Sequence, residues 1–321
     1  LKIFGRAIPD NSFLKTLLII SFFVLAAAFI PAAGFILLAF LPLLIFVYST
    51  FAGKDKTAIA FLIPVLLLFL FSHFFQINTP YPVIFIMGSV GLAIAAIALR
   101  NASVEKTIII PALIIIISVC AYFFYAAWQL SLKPWYLVQQ FVTQTIEQNI
   151  NLYGQLPLDT EDINFIKNNK LMLISIFTNI FPAMAVIGSF IIVLFNVLIG
   201  KNILSRTAII LPKLTGLSGW KSPDFIIWIF LASGGLLLLP NEQIRFFSLN
   251  ILILVCFIYL LQGLAIISFL FQNKNVPIFF RYLFYFLIAV QQLLMIPIIA
   301  AGLFDIWVDF RKLLQKNRAS A

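Results

Sequence analysis

The chain alternates between long apolar runs and short polar connections. Nine such runs occur, at 14–30, 34–52, 57–74, 81–99, 107–129, 171–199, 225–240, 246–271 and 278–304. About 20 apolar residues suffice for a helix to cross a bilayer, and most of the runs approach that length. Lipid offers backbone N–H and C=O groups no water, so each run predicts an α-helix that satisfies its own polar groups. The two-residue alternation of a membrane barrel strand is absent. The first two runs form one uncharged block split by Pro31 and Gly34, a turn signal that predicts a tight hairpin. The seventh, Phe225 to Pro240, is short and holds Gly234 and Gly235. It either crosses barely or dips in and returns. The expectation is an all-α polytopic membrane protein with eight or nine transmembrane helices, forming a single integral membrane domain over 1–321.

One polar connection is long. Residues 129–170 read as an extracytoplasmic amphipathic connection between two halves. Pro134 suits the first turn of a helix. Val138, Phe141, Val142 and Ile146 then share a face, with most of the glutamines elsewhere, which predicts a helix lying at the membrane interface. A second helix is expected to open at Asp159 or Thr160, with Glu161 and Asp162 in its first turn. The segment reads either as a lid or as interfacial packing.

Composition agrees with lipid as the solvent. The chain of 321 residues is 63% hydrophobic and 10% charged, with a mean hydropathy of +1.11; a soluble domain carries about 25% charged residues. The net charge of +10 does not point to nucleic acid. The basic residues are dispersed through short connections, where they act as topology signals. Placing the N-terminus in the cytoplasm puts the basic connections 53–56, 100–106 and 201–224 on the cytoplasmic side and the 129–170 segment outside. The 274–281 connection and the C-terminal tail depend on whether the seventh run crosses. The first run follows Lys2, Arg6 and Lys15 and ends in small residues, as a signal peptide does, but a second apolar run follows at once, so it reads as a retained helix. Cys120 and Cys256 lie inside apolar runs and read as small buried residues. With one histidine in the chain, a zinc site of His and Cys ligands is not expected.

Polar groups inside the membrane are costly and therefore informative. The centres of the runs hold no Asp, Glu, Lys or Arg, which argues against a proton relay or a voltage sensor. What remains is neutral: His73, Asn179, Asn196, Asn250, Gln262, Gln291 and Gln292. Such amides either hold helices together or bind a neutral or zwitterionic solute. No paired intramembrane aspartates, Ser–His pair, HExxH helix or glycine-rich phosphate loop occurs, so neither an enzyme nor a cofactor is expected. At the end of the last run stands GLFDIWVDFRKLLQ, residues 302–315. Asp305 and Asp309 would share a helix face, with Trp307 as an interfacial anchor. Asp309 and Lys312 have the spacing to pair along a helix continuing into the basic tail. Membrane exit is the leading reading of this stretch. Asp305, Asp309, Arg311 and Lys312 are alternatively a partner-binding motif.

The stretch LLQGLAIISFLF, the basic loop with Pro277 after it, and AGLFDIWVDFRK together resemble the YybS-like family of bacterial membrane proteins, through Gln262, Gly263, Ala265, Gly302, Asp305, Trp307, Asp309 and Arg311. FLPLLIFVYSTFAG and GLAIAAIAL in the N-terminal half match more loosely, and YSTFAG departs from the basic and aromatic pair the family often carries there. The resemblance implies a helical fold in a bacterial cytoplasmic membrane. The first six spans also look like the substrate-binding subunits of energy-coupling-factor vitamin transporters, which hold a solute and dock on an ATPase module. Ala28 and Ala32 have the spacing of their docking face, with Pro31 between them.

Two functions follow as expectations. The first is a small-solute-binding or uptake component without its own ATPase, with Asn179, Asn196, Gln262, Gln291 and Gln292 lining the site. Its partners would be the bilayer, the solute and an ATPase or coupling module. The second is a non-transporting scaffold or regulator, acting on another membrane protein through basic cytoplasmic loops and the tail.

Overall fold

The computed structural model describes residues 2–3, 6–7, 12–155, 160–207, 209, 211 and 217–312. Apart from a two-residue antiparallel pairing of Lys2–Ile3 with Arg6–Ala7, it is helical. In chain order the helices are α1 (Ser12–Phe29), α2 (Pro31–Ala52), α3 (Lys54–Phe75), α4 (Tyr81–Ala98), α5 (Val104–Leu130), α6 (Pro134–Tyr153), α7 (Thr160–Asn168), α8 (Lys170–Arg206), α9 (Ile226–Leu236), α10 (Glu242–Asn273), α11 (Ile278–Val290) and α12 (Met295–Val308). They form two compact units, residues 1–126 with 188–215 and residues 127–187 with 216–321; α5 and α8 contribute to both.

In the first unit α1 to α4 pack around Ile20, Val24, Leu41, Ile45, Phe61 and Ile84, all fully buried. A second cluster joins Phe46, Val90 and Ile94 to Ala112 of α5 and to Val193 and Val197 of α8. Gly91 permits the close approach of α2 and α4, since a methyl there would lie 2.7 Å from the Pro42 carbonyl oxygen. The hairpin expected near Pro31 is present, with Ile30 as its one non-helical residue and Pro31 opening α2, where a missing N–H costs nothing. The docking-type alanine Ala32 lies outside the residues whose side chains are described.

In the second unit, α6 opens at Pro134 as expected and buries Val138, Val142 and Ile150. Trp135 meets Phe246 of α10, and Phe141 meets Phe181 of α8, both edge to face at 5.3 and 5.9 Å. α10 starts at an Asn241 cap, whose side-chain oxygen accepts the Ile244 N–H at 3.1 Å. Helix α7 opens at Thr160; the alternative start at Asp159 lies outside the described residues, as do Lys213 and the tail beyond Lys312.

Among the described residues the candidate spans, by length and composition, number six, or seven if the bent pair at the end counts as one, against the eight or nine expected. Six helices are long and apolar enough: Gly34–Ala52, Lys54–Phe75, Tyr81–Ala98, Val104–Leu130, Lys170–Arg206 and Glu242–Asn273. Phe13–Phe29 falls just short of the shortest of these, and α9, with 11 residues, rises only about 16 Å against a hydrocarbon core of about 30 Å. The last run is not one straight helix. Its halves meet at 107° near Gln291 and make a seventh crossing only if counted together. The non-helical residue is Gln291, with φ −100° and ψ 90°, and Pro297 falls in the first turn of the helix that follows, where its missing N–H costs no rung.

Candidate functional site

The second unit is organised around the crossing of α10 and α12. Gly263 and Gly302 face each other there. A methyl on Gly302 would fall on the Tyr259 carbonyl oxygen, and one on Gly263 on the Ile298 carbonyl oxygen. The two backbones touch, as small residues allow in membranes. That approach brings Gln262, fully buried, against Asp305, which is 1% exposed.

The polar groups here satisfy one another in a defined order. The Ser222 backbone N–H donates to Gln262 Oε1 at 3.1 Å, and the Ser222 hydroxyl donates to the same oxygen. Because that N–H can only donate, the oxygen of the amide must face Ser222 and its NH2 must face away. Gln262 Nε2 accordingly donates to Asp305 Oδ2 at 3.0 Å. The other carboxylate oxygen, Oδ1, accepts the Phe310 N–H at 3.0 Å. Arg311 completes the group, with its guanidinium 3.4 Å from Asp305 Oδ2 and 2.7 Å from the Trp220 carbonyl oxygen. The result is a clasp: α10, α12, the segment 220–222 and residues 310–311 are held by one buried carboxylate. Arg311 Nε and the Tyr259 hydroxyl are buried without a hydrogen-bond partner among the described residues.

The clasp depends on α12 stopping. Asp305 and Asp309 do not share an exposed helix face. α12 ends at Val308 and Asp309 adopts left-handed backbone, φ 44°. This turn swings Arg311 back onto Asp305, six residues upstream, a spacing no continuous helix brings together. The expected Asp309–Lys312 pair is present at 2.9 Å. The Lys312 ammonium holds the Asp309 carboxyl below the usual carboxylate range, chiefly through that hydrogen bond. Lys312 itself is largely exposed.

The other amides do different work. Asn250 binds the α8 rung that follows Pro182: its Oδ1 accepts the Ala183 N–H at 2.9 Å and its Nδ2 donates to the Asn179 carbonyl at 2.8 Å. Asn179 thus contributes a backbone oxygen, and its side chain is exposed. Asn196, in the first unit, donates to the Ala39 carbonyl of α2 at 3.0 Å. Gln291 and Gln292 are exposed at the break before α12. Of the six amides singled out in the sequence, Gln262 alone joins the clasp. Ser222 and the Trp220 carbonyl were not foreseen, because their role exists only once the 217–224 segment is folded against α10.

Open space in the second unit lies elsewhere, between α6, α7 and α8. A groove of about 550 Å³ is walled by Phe141, Val142 and Ile146 of α6, Ile166 of α7, and Leu173, Phe177, Phe181 and Met184 of α8, with Thr145, Asn149 and Ile150 along its edge. A smaller hollow of about 290 Å³ shares Ile150 with it and is lined by Glu147, Asn151, Lys167 and Lys170. Lys170 pairs with Glu147 at 2.5 Å. The sequence showed the apolar face of α6. It did not show the matching stripe on α8, which is hidden in a helix apolar all round.

A family model described as "Predicted membrane protein (DUF2232)" matches residues 18–306. The chain belongs to the DUF2232 family. No curated protein and no solved structure matches it. A family of membrane proteins agrees with the six long apolar helices and fixes the bilayer as the environment of this DUF2232 member. The match covers the α10–α12 crossing and Asp305 and ends before Asp309 and Arg311.

Proposed function

We propose that the protein is a binding component of the small-molecule uptake type, without its own ATPase, in a bacterial cytoplasmic membrane with its N-terminus in the cytoplasm. The observation that carries the reading is the groove under α6 and α7. At about 550 Å³ it falls within the usual range for small-molecule sites, and its wall is apolar with two polar residues, Thr145 and Asn149, as such sites are. The buried amides favour the groove as the ligand's place, since Gln262, Asn196 and Asn250 already hold protein partners. The resemblance of the first six spans to energy-coupling-factor binding subunits supports the same class, the YybS-like resemblance supports a bacterial cytoplasmic membrane, and the basic connections support the orientation. Filling the groove tests it. Native mass spectrometry of gently purified wild-type protein is expected to show a bound small molecule that Met184→Trp lacks; identical spectra from the two would refute the reading.

A second reading rests on the outer end of the clasp. Lys312 and Asp309 stand at the surface beside Arg311, where a scaffold would engage another membrane protein. Co-purification of a protein partner lost on Lys312→Glu, with an empty groove, would favour it.

A further inference from the structure

We infer that the groove takes a single-chain lipid with an anionic headgroup, drawn from the surrounding membrane. This inference rests on the groove being the binding site and names the class of its ligand. From Lys170 in the smaller hollow to Met184 at the far end of the groove, α8 rises about 21 Å. That is roughly the depth of one leaflet with its headgroup region, half of the ~40–45 Å bilayer. A space this long and lined by phenylalanines and branched aliphatics fits one extended hydrocarbon chain. Its chemistry changes sign at one end only. Past Ile150, the residue both hollows share, the lining becomes Glu147, Asn151, Lys167 and Lys170. Among the described lining residues two ammonium groups stand against one carboxylate. Lys170 is held by Glu147 at 2.5 Å, with both side chains partly exposed, and Lys167 is exposed. A carboxylate or phosphate at the end of a chain would bind Lys167 and compete with Glu147 for Lys170, in charge-assisted hydrogen bonds.

This arrangement makes Glu147 and Lys170 act with opposite signs, although they form one ion pair. A purely structural pair would respond alike to loss of either member. The test uses the full-length protein in nanodiscs of phosphatidylcholine at mildly alkaline pH. The probes are hexadecanoic acid and hexadecanol, each carrying a diazirine near the far end of the chain, with labelled peptides located by mass spectrometry. The acid is expected to label the Leu173–Met184 wall. Neutralising both lysines (Lys167→Gln with Lys170→Gln) should lower that labelling about fivefold, the size of one exposed ion pair, and Glu147→Gln should raise it. The alcohol should be indifferent to all three changes. Equal labelling by acid and alcohol in every variant overturns the anionic class and leaves the groove as a site for a neutral chain. Labelling of the wall by neither probe above the level on lipid-facing α3, as when a segment of another copy fills the groove, overturns both this inference and the binding reading on which it rests.

Discussion

Asp305 is the residue whose replacement is most informative, because the chemistry of its neighbours dictates what can stand there. Asp305→Ala removes the acceptor for Gln262 Nε2, the acceptor for the Phe310 N–H and the counter-charge of Arg311. Breaking a buried ion pair by deleting one partner costs ~3–5 kcal/mol. Arg311 keeps 13% of its side-chain surface exposed and sits 3.4 Å away, so the lower end applies, about 3 kcal/mol. Asp305→Asn, nearly isosteric, is the sharper test. Gln262 cannot turn its amide round, since its oxygen is fixed by the Ser222 N–H. An asparagine at 305 therefore points its NH2 either at the Gln262 NH2 or at the Phe310 N–H, and one donor is stranded in each case. That costs ~1–3 kcal/mol beyond the lost charge. Both variants are to be unfolded by SDS in mixed micelles and followed by tryptophan fluorescence, with Asp309→Asn as the exposed control. The expected order of stability is wild type and Asp309→Asn together, then Asp305→Asn, then Asp305→Ala. If Asp305→Asn lies within about 0.5 kcal/mol of wild type, the ordinary range for a surface change, the donor order assigned to the clasp is wrong.

Other outcomes follow from the same geometry. Asn250→Leu strips both side-chain bonds from the α8 rung beyond Pro182 and should cost about 1–2 kcal/mol in the same unfolding assay, with faster amide exchange at Ala183. Gly302→Ala places a methyl on the Tyr259 carbonyl; separating the two backbones should cost ~1–3 kcal/mol and weaken Gln262–Asp305, so its effect and that of Asp305→Asn should be less than additive. The Asp309 carboxyl titrates below its ordinary range because Lys312 stabilises the ionised form. The pair's contribution is therefore present above the unfolded carboxylate pKa and is lost as pH falls through the depressed one. A carboxyl NMR titration of Lys312→Met should return Asp309 toward the ordinary range, and an unchanged midpoint would remove Lys312 as the cause.

The positions of most helices were legible because hydropathy measures the cost of burying each residue in lipid, and that cost hardly depends on tertiary context. Helices α2 to α5 lie where the apolar runs lie, and Pro134 opens α6 as a proline with no donor to lose should. The break at Gln291 was less visible. An uninterrupted apolar run says nothing about direction, and the local sign, Pro297 behind two amides, is weak beside it. The crossing number fell for the same reason: composition made Phe225 to Pro240 a candidate, and only the actual helical length of α9 shows how little of a bilayer it spans. The clasp was half legible. Gln262, Asp305 and Arg311 each stood out, but for separate reasons, as an intramembrane amide, a membrane-exit carboxylate and a basic tail. Joining them takes a glycine-on-glycine crossing and a left-handed residue at 309, both of which are relations across the fold.

The short reach of α12 has a consequence for how the protein is made. Its 14 residues rise about 21 Å, less than the hydrocarbon core, and it carries a carboxylate that insertion into a membrane penalises by up to ~2.5–3.5 kcal/mol. On its own it is a poor stop-transfer segment. α10 leaves the ribosome first, and it presents Gly263 as a docking seat and Gln262 as a donor for the arriving carboxylate. We therefore expect glycosylation reporters to find α12 inserted behind α10 and largely translocated behind a polyleucine helix; equal insertion would sink the idea. Assembly of the last segment is then templated by the chain's own earlier product, and a lesion at Gly263 becomes a defect in topology before it is one in packing.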